Sequence, residues 1–381
     1  MKLRTRIAAV IAAMSVVGLG SVSTAAAGGH EHEHGDHGGH AVFVQTNNPA
    51  GNQIVAYSRA EDGTLTPGDT YDTGGLGAIQ GGAVADTLAS QGSLVFDEEH
   101  NALLAVNAGS DSLTVFRVKG DELKKRQVAS SQGSFPESIT IHDNLVYVLN
   151  ARNGGSVAGY TFEGGRLRPI DNSVRRLGLD PNVSPEFLNT AAQVAFTPDG
   201  QHLVVTTKGN GHDILVYDVG RRGRLSDHPV VNAQPAGSAP FAIAFAGQRL
   251  VVTLAGTSSL AKYEVNSDST LTTLANVPDG QKAACWVSSA NGRFYVSNAG
   301  SSNISIYEND GSGGLTLVGA PVATDPGTVD SAATLDGKFL YVQSGTTGII
   351  DGFHIEADGG LTPIATTLVP NAVGFEGIAA S

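Results

Sequence analysis

The stretch Val55–Leu65, VAYSRAEDGTL, places an aromatic residue in a short alternating run, follows it with a polar Asp-Gly turn, and resumes with leucine. The same figure returns six more times, at Phe116/Leu123, Tyr160/Leu167, Tyr217/Leu225, Tyr263/Leu271, Tyr307/Leu315 and Phe353/Leu361. Successive leucines lie 58, 44, 58, 46, 44 and 46 residues apart. A unit of about 45 residues therefore repeats, and two of its copies carry longer insertions. Upstream of each aromatic lies a strand ending in a small polar loop, as in LLAVNAGSDS and FYVSNAGSSN. Before that comes a further strand and a tight turn, as in VAFTPDGQHLVV (Val194–Val205), where Asp-Gly supplies the backbone of a hairpin.

Each unit thus reads as a four-stranded antiparallel meander. Such a sheet cannot bury both faces by itself, and seven of them in series predict blades packed around a channel. The expected fold is all-β: a single seven-bladed β-propeller over residues 42–381, with no helix of useful length. Its ends predict how the ring closes. The first unit starts directly on a second strand, AVFVQTNN, and lacks an innermost one. The C-terminal GFEGIAAS aligns with SFPESITI, matching Glu376 to Glu137 and Ile378 to Ile139. The C-terminal strand is expected to join the first blade.

Residues 1–27 have the parts of a secretory signal: basic Lys2, Arg4 and Arg6, an apolar run from Ile7 to Leu19, and a small-residue segment ending at Ala27. The run is too short to span a bilayer comfortably, and nothing later approaches that length. Export is expected, to the periplasm or the exterior. Cys285 is the only cysteine, so no internal disulfide contributes. The formal charge is −13 and becomes −16 without the three cations of the signal. A body of that charge repels nucleic acid and anionic membranes. A monomer acting on a small-molecule or carbohydrate ligand is expected.

In a propeller, the connection into each innermost strand opens on the same face as the loop between the second and third strands. Both insertions, roughly 75–91 and 172–190, enter innermost strands and should overhang that face. Aligning the turns brings Gln91, Glu137, Gln193, Phe241, Cys285, Trp286, Asp330 and Glu376 to the channel mouth. Glu137, Asp330 and Glu376 are the candidate catalytic carboxylates, since crowding of such groups raises proton affinity or recruits a cation. Gln91, Arg152, Gln193, Lys208 and Trp286 are the candidate substrate-binding residues, with Arg152 and Lys208 placed to neutralise the carboxylates or hold an anion. Cys285 has no neighbouring histidine in sequence to act as its base and reads as a small buried hydrophobe. The body has no Gly-rich phosphate loop, Gly-x-Ser-x-Gly elbow or paired zinc spacing.

Residues 28–41 form a tail. Its GGHEHEHGDHGGH segment carries His30, His32, His34, His37 and His40 between acids. Cleavage after Ala27 would expose Gly28-Gly29-His30, whose amine, two amides and imidazole make the four-nitrogen square that Cu(II) and Ni(II) prefer. The remaining histidines suit Zn(II). A solvated leader is the other reading of the same composition.

The phrases SQGSLVFDEEHNALLAVNAGSDSLTVFRV (Ser90–Val118), AACWVSSANGRFYVSNAGSSNISIY (Ala283–Tyr307) and LDGKFLYVQSGTTGIIDGFHI (Leu335–Ile355) resemble the propeller-type lactonase family, which includes 6-phosphogluconolactonase and carboxymuconate cyclase. The resemblance covers essentially the whole body after the tail. It implies a seven-bladed fold and, in characterised members, hydrolysis or formation of a lactone. Those members share a His-Pro-His start to an innermost strand; the corresponding positions here read FPES (Phe135–Ser138) and TAAQ (Thr190–Gln193). Two functions follow as expectations. One is a secreted lactone or ester hydrolase with a mouth carboxylate as general base. The other is an exported binding propeller for a sugar, cell-wall or protein ligand, with a metal-binding tail.

Overall fold

The computed structural model describes residues 40–381 apart from Ser312, Asn371 and Val373. Seven antiparallel sheets follow one another around the ring. From the channel outward, the second blade runs Leu94–Asp97, Ala102–Asn107, Ser112–Lys119 and Glu122–Ser130, and the next five repeat that order. The first blade takes its innermost strand, Ile378–Ala380, from the far end of the chain, pairing Val42 with Ala380, Phe43 with Ala379 and Val44 with Ile378. Innermost strands pack side by side from each blade to the next and close the ring. Among the described residues, the only α-helix is the short turn Glu186–Asn189 inside the second insertion.

The repeated aromatics explain why the spacing is kept. All seven are buried in third strands, and the tyrosines use their hydroxyls to reach the blade before their own. Tyr57 donates to Leu368 O at 3.4 Å, Tyr160 to Ser130 O at 2.6 Å, Tyr307 to Val277 O at 3.0 Å and Tyr263 to Gln234 Oε1 at 2.8 Å. Each acceptor lies in or just beyond the outermost strand of the preceding blade. The ring supplies apolar burial and the hydroxyl a staple worth about 1 kcal/mol. Tyr217 is the exception, its buried hydroxyl having no partner. The blade before it is the third, whose outer strand is split into Arg166–Pro169 and a two-residue piece, Arg175–Arg176.

A second regularity positions the mouth. Five innermost strands carry a register shift at their first residues: between Pro136 and Ser138, Ala191 and Gln193, Pro240 and Ile243, Ala284 and Trp286, and Thr328 and Ser331. A bulge bends the strand and re-aims the side chains within it. Glu137, Phe241, Cys285 and Asp330 all sit in these bulges. On the closing strand, Gly377 has φ +104° and a Cβ there would lie 2.5 Å from Ser93 Oγ, so only glycine lets the chain pass.

Candidate functional site

The first insertion folds down into the channel mouth. Asp86 Oδ1 accepts the N–H groups of Leu88 (2.9 Å) and Ala89 (2.8 Å), turning the chain so that the next residues face inward. Ala89 O then receives Lys208 Nζ at 2.5 Å, and Ser90 O receives Trp286 Nε1 at 2.6 Å. The Ser90 hydroxyl lies 2.8 Å from Glu137 O and 2.9 Å from Glu376 Oε1. Gln91 reaches across the channel, its amide donating to Val287 O (3.0 Å) and accepting from Val287 N (2.9 Å). Gln193 makes the same kind of clamp to the neighbouring blade, accepting from Ile243 N at 2.6 Å. The amides of Gln91 and Gln193 are thus spent on holding blades together.

Beneath this plug, one ammonium meets several carboxyls. Glu137 and Glu376 are fully buried and Asp330 is 3% exposed. Gln80 Nε2 donates to Glu137 Oε2 at 2.7 Å and is steadied through Thr190 Oγ1 at 3.0 Å, so both insertions reach the same carboxyl. Burial pushes Glu137 well above the usual carboxylate range, with the charge of Lys208 opposing and that of Asp86 adding. Burial does the same to Glu376, reinforced by the neighbouring carboxyls of Asp86 and Asp330. Asp330, buried and accepting Ser331 N at 2.9 Å, is pushed up to about 8. Burial pulls Lys208 below its ordinary value, partly offset by Glu137, Asp86 and Glu376. Burial raises Asp86 as well, opposed by the Glu376 side chain, the Ala89 and Leu88 amides and the charge of Lys208, so the ammonium sits among carboxyls that all resist ionisation. Asp86 Oδ2 and Glu376 Oε2 are both buried without a hydrogen-bond partner.

Beside this cluster lies a cavity of about 460 Å³. Its walls include Phe241 and Trp286, whose rings meet edge to face at 5.2 Å, with Phe187 and Leu188 from the second insertion and Val84 from the first. Val84 is 84% exposed and Leu188 49%, so both insertions present apolar residues at the lip. Asp86 and Lys208 are the charged residues of the wall. Cys285 also faces it, and burial pushes its thiol up to about 12, which keeps it protonated.

The expected site residues are thus distributed unevenly. Lys208 and Trp286 line the cavity; Glu137, Glu376 and Asp330 lie buried behind it; Gln91 and Gln193 clamp blades. Arg152 stands on the outer lip, paired with Glu186 (Nε to Oε1 2.6 Å, Nη2 to Oε2 3.1 Å) and stacked over Phe135 at 4.4 Å. Glu186 Oε2 also accepts Gly81 N at 2.7 Å, so this pair fastens one insertion to the other. Asp86 is the residue that reasoning from blade alignment passed over. Its signal was present in composition, since it is the single charged residue between Gly75 and Gln91.

His40 is exposed and lies in a groove with Glu98, Asp336 and Ser381. His30, His32, His34 and His37 lie outside the described residues. Among the described residues no group of three or more metal-ligating side chains comes together.

The chain is a seven-bladed propeller whose mouth is plugged by its first insertion and flanked by a side cavity. The family described as "Lactonase, 7-bladed beta-propeller" matches residues 50–176 and 193–375, and the chain belongs to it. The gap between the two matched segments, residues 177–192, takes in most of the second insertion. A putative 6-phosphogluconolactonase from Bacteroides fragilis has the same fold, with 18% identity, TM-score 0.71, and 91% of this chain covered against 98% of that one. The periplasmic gluconolactonase of Pseudomonas aeruginosa is similar, with 18% identity, TM-score 0.70 and coverage of 88% and 98%. More distant is virginiamycin B lyase from Staphylococcus aureus, at 12% identity, TM-score 0.52 and coverage of 75% and 87%. The sequence matches none of the curated proteins.

Proposed function

We propose that this chain is an exported hydrolase of uncharged, largely apolar lactones or related esters, with Asp86 as general base and Lys208 as the cation that polarises the carbonyl. The observation that carries the reading is the placement of those two ionisable groups, each feeling the other's charge, on the wall of an otherwise apolar 460 Å³ cavity. Family membership and the gluconolactonase names among its structural neighbours support the reaction class. The wall narrows the substrate. A phosphorylated sugar acid needs cations and many hydrogen-bond donors, whereas here one ammonium is already held by Ala89 O and set among three carboxyls. An alkyl or aryl lactone matches Phe241, Trp286 and the alanine-rich surface.

In this mechanism the ring of the substrate lies against Phe241 and Trp286 with its carbonyl oxygen toward Lys208 Nζ. Asp86 removes a proton from water as the water oxygen bonds to the acyl carbon, and the ammonium stabilises the oxyanion that forms. Collapse of the tetrahedral species breaks the ring C–O bond, and the proton on Asp86 passes to the departing alkoxide. Glu376, buried beside Asp86, positions the base. The leader over residues 1–27 supports export, to be checked by finding the mature chain outside the cytoplasm of its host.

A panel of γ- and δ-lactones with alkyl chains tests the assignment, with binding followed by fluorescence of Trp286, the sole tryptophan. Asp86→Asn is expected to lower kcat by about 10²- to 10⁴-fold while Trp286 still reports saturable binding. Undiminished turnover in Asp86→Asn would remove Asp86 from the reaction. Saturable binding with no turnover of any lactone by the wild-type protein would instead favour a binding propeller.

A further inference from the structure

The rim of the molecule between the second and third blades carries charge of the opposite sign to the whole. Residues 117–176 hold ten Lys/Arg against six Asp/Glu, a net of +4, in a chain whose total is −13. One of the six acids, Glu137, is buried at the mouth and contributes nothing to the surface. The cations are carried by third and outer strands. On the second blade, Arg117 stands opposite Lys124, with Lys119 and Arg126 on the same two strands. On the third, Arg166 and Arg168 lie on the outer strand. All six are exposed, and none forms an ion pair among the described residues.

The two outer strands are held in register by an amide clamp. Gln127 Nε2 donates to Leu167 O at 3.1 Å and Gln127 Oε1 accepts from Leu167 N at 2.7 Å. The clamp sits between Arg126 on one blade and Arg166 and Arg168 on the other, so these charges are presented by a joined surface. Inward of it opens a groove of about 660 Å³ lined by Arg117, Lys119, Arg126 and His100, with no carboxylate on its wall. Its far side is the turn Gly164-Gly165, with φ of +58° and +73°, where a side chain at Gly164 would meet nothing within 4 Å. His100 is fixed by Asp97 at 2.5 Å and Asn144 at 3.1 Å, while Arg117, Lys119 and Arg126 form no ion pair among the described residues.

Glu122 stands opposite Lys119 and Glu163 opposite Arg166, but Arg117 faces Lys124 and the cations remain in excess. An excess of like charge contributes nothing to folding and suits a ligand that supplies further anions. Guanidinium forks match phosphate oxygens bidentately, and a row of cations spread across two blades fits a chain of charges better than a single ion. We propose that this groove and its rim form a binding site for a linear phosphate polymer, separate from the channel mouth and independent of hydrolysis there.

The test uses the full-length mature protein and short-chain inorganic polyphosphate, with binding measured by isothermal titration calorimetry across a salt series. Saturable binding is expected, weakening linearly on a log–log plot against salt. The variant Arg117→Glu/Arg126→Glu should bind at least about tenfold more weakly and lose about two units of salt slope. A matched reversal on the fourth blade, Arg221→Glu/Arg222→Glu, should bind as wild type does, and both variants should keep the wild-type melting temperature. Absence of saturable binding at low salt would overturn the proposal, as would equal loss in the two variants. Equal or tighter binding of heparin or of duplex DNA would overturn the assignment to a phosphate polymer.

Discussion

At the channel mouth Asp86, Glu137, Lys208, Asp330 and Glu376 crowd together almost wholly buried; on the rim between the second and third blades six cations stand in water. The mouth groups shift one another: burial raises Glu137, Glu376 and Asp86, and the charge of Lys208 opposes the rise at Glu137 and Asp86. The rim groups are screened, unpaired and free to respond to whatever approaches. Charge that is buried in a fixed ratio tunes chemistry, and charge left exposed in excess recruits partners at long range. If the comparison is right, substitutions at the mouth change stability and pH dependence, while those on the rim change salt dependence and little else.

The largest structural effect should come from Lys208→Met. Removing one member of a buried charge cluster leaves its partner without compensation, at a cost of about 3–5 kcal/mol. Asp86 escapes part of that cost by taking up a proton. Its folded-state proton affinity then rises further, so the variant regains stability as pH falls and loses it as pH rises. Denaturant unfolding at pH 5.5 and pH 8.5 should show a clearly larger deficit at the higher pH. A deficit that does not change with pH would mean that the carboxyls do not depend on the ammonium, and the mouth would lose its distinction from the rim.

A smaller effect of defined sign belongs to Asp330, held up to about 8 against an ordinary 3.8. Its folded pKa is raised, so the stability it contributes is complete below about pH 4 and is lost as pH climbs toward 8. The Asp330→Asn variant keeps an oxygen for Ser331 N and cannot ionise. Its melting temperature should match wild type near pH 4.5 and exceed it at pH 9. Parallel curves over that range would show that Asp330 is not held neutral by the channel.

How much of this was legible in the sequence follows from what each residue has to do. The aromatic repeats could be counted because Tyr57, Tyr160, Tyr263 and Tyr307 each reach the blade before, and a shift in spacing would break the staple. The closing strand could be read because Ile378 and Ile139 meet the same packing demand. Glu137 and Glu376 could be aligned because bulges and strand starts recur. Asp86 could not, since an insertion follows no period and its path is set by contacts such as Lys208 Nζ on Ala89 O. The ligand-like appearance of Gln91 was equally uninformative, because a buried amide that clamps Val287 and one that awaits a substrate have the same sequence. The rim was hidden by averaging, as a total of −13 conceals a segment of +4.

The smallest expected change lies where the two kinds of region meet, at the Arg152–Glu186 clasp. The pair is partly exposed, so its direct contribution to stability is about 0–1 kcal/mol. The Arg152 side chain holds the Glu186 carboxyl below the usual carboxylate range, and the same carboxylate takes Gly81 N from the other insertion. Breaking the pair therefore frees two lips of the cavity from one another without touching its wall. Arg152→Gln should leave the melting temperature nearly unchanged and raise both association and dissociation rates of a lactone, read by stopped-flow quenching of Trp286. Because the Glu186 carboxyl is held below the usual carboxylate range, wild type should acquire the same fast exchange only on acidification past that range. If the rates in Arg152→Gln match wild type at pH 7, the insertions do not gate the cavity, and Arg152 behaves like a rim charge despite its place at the mouth.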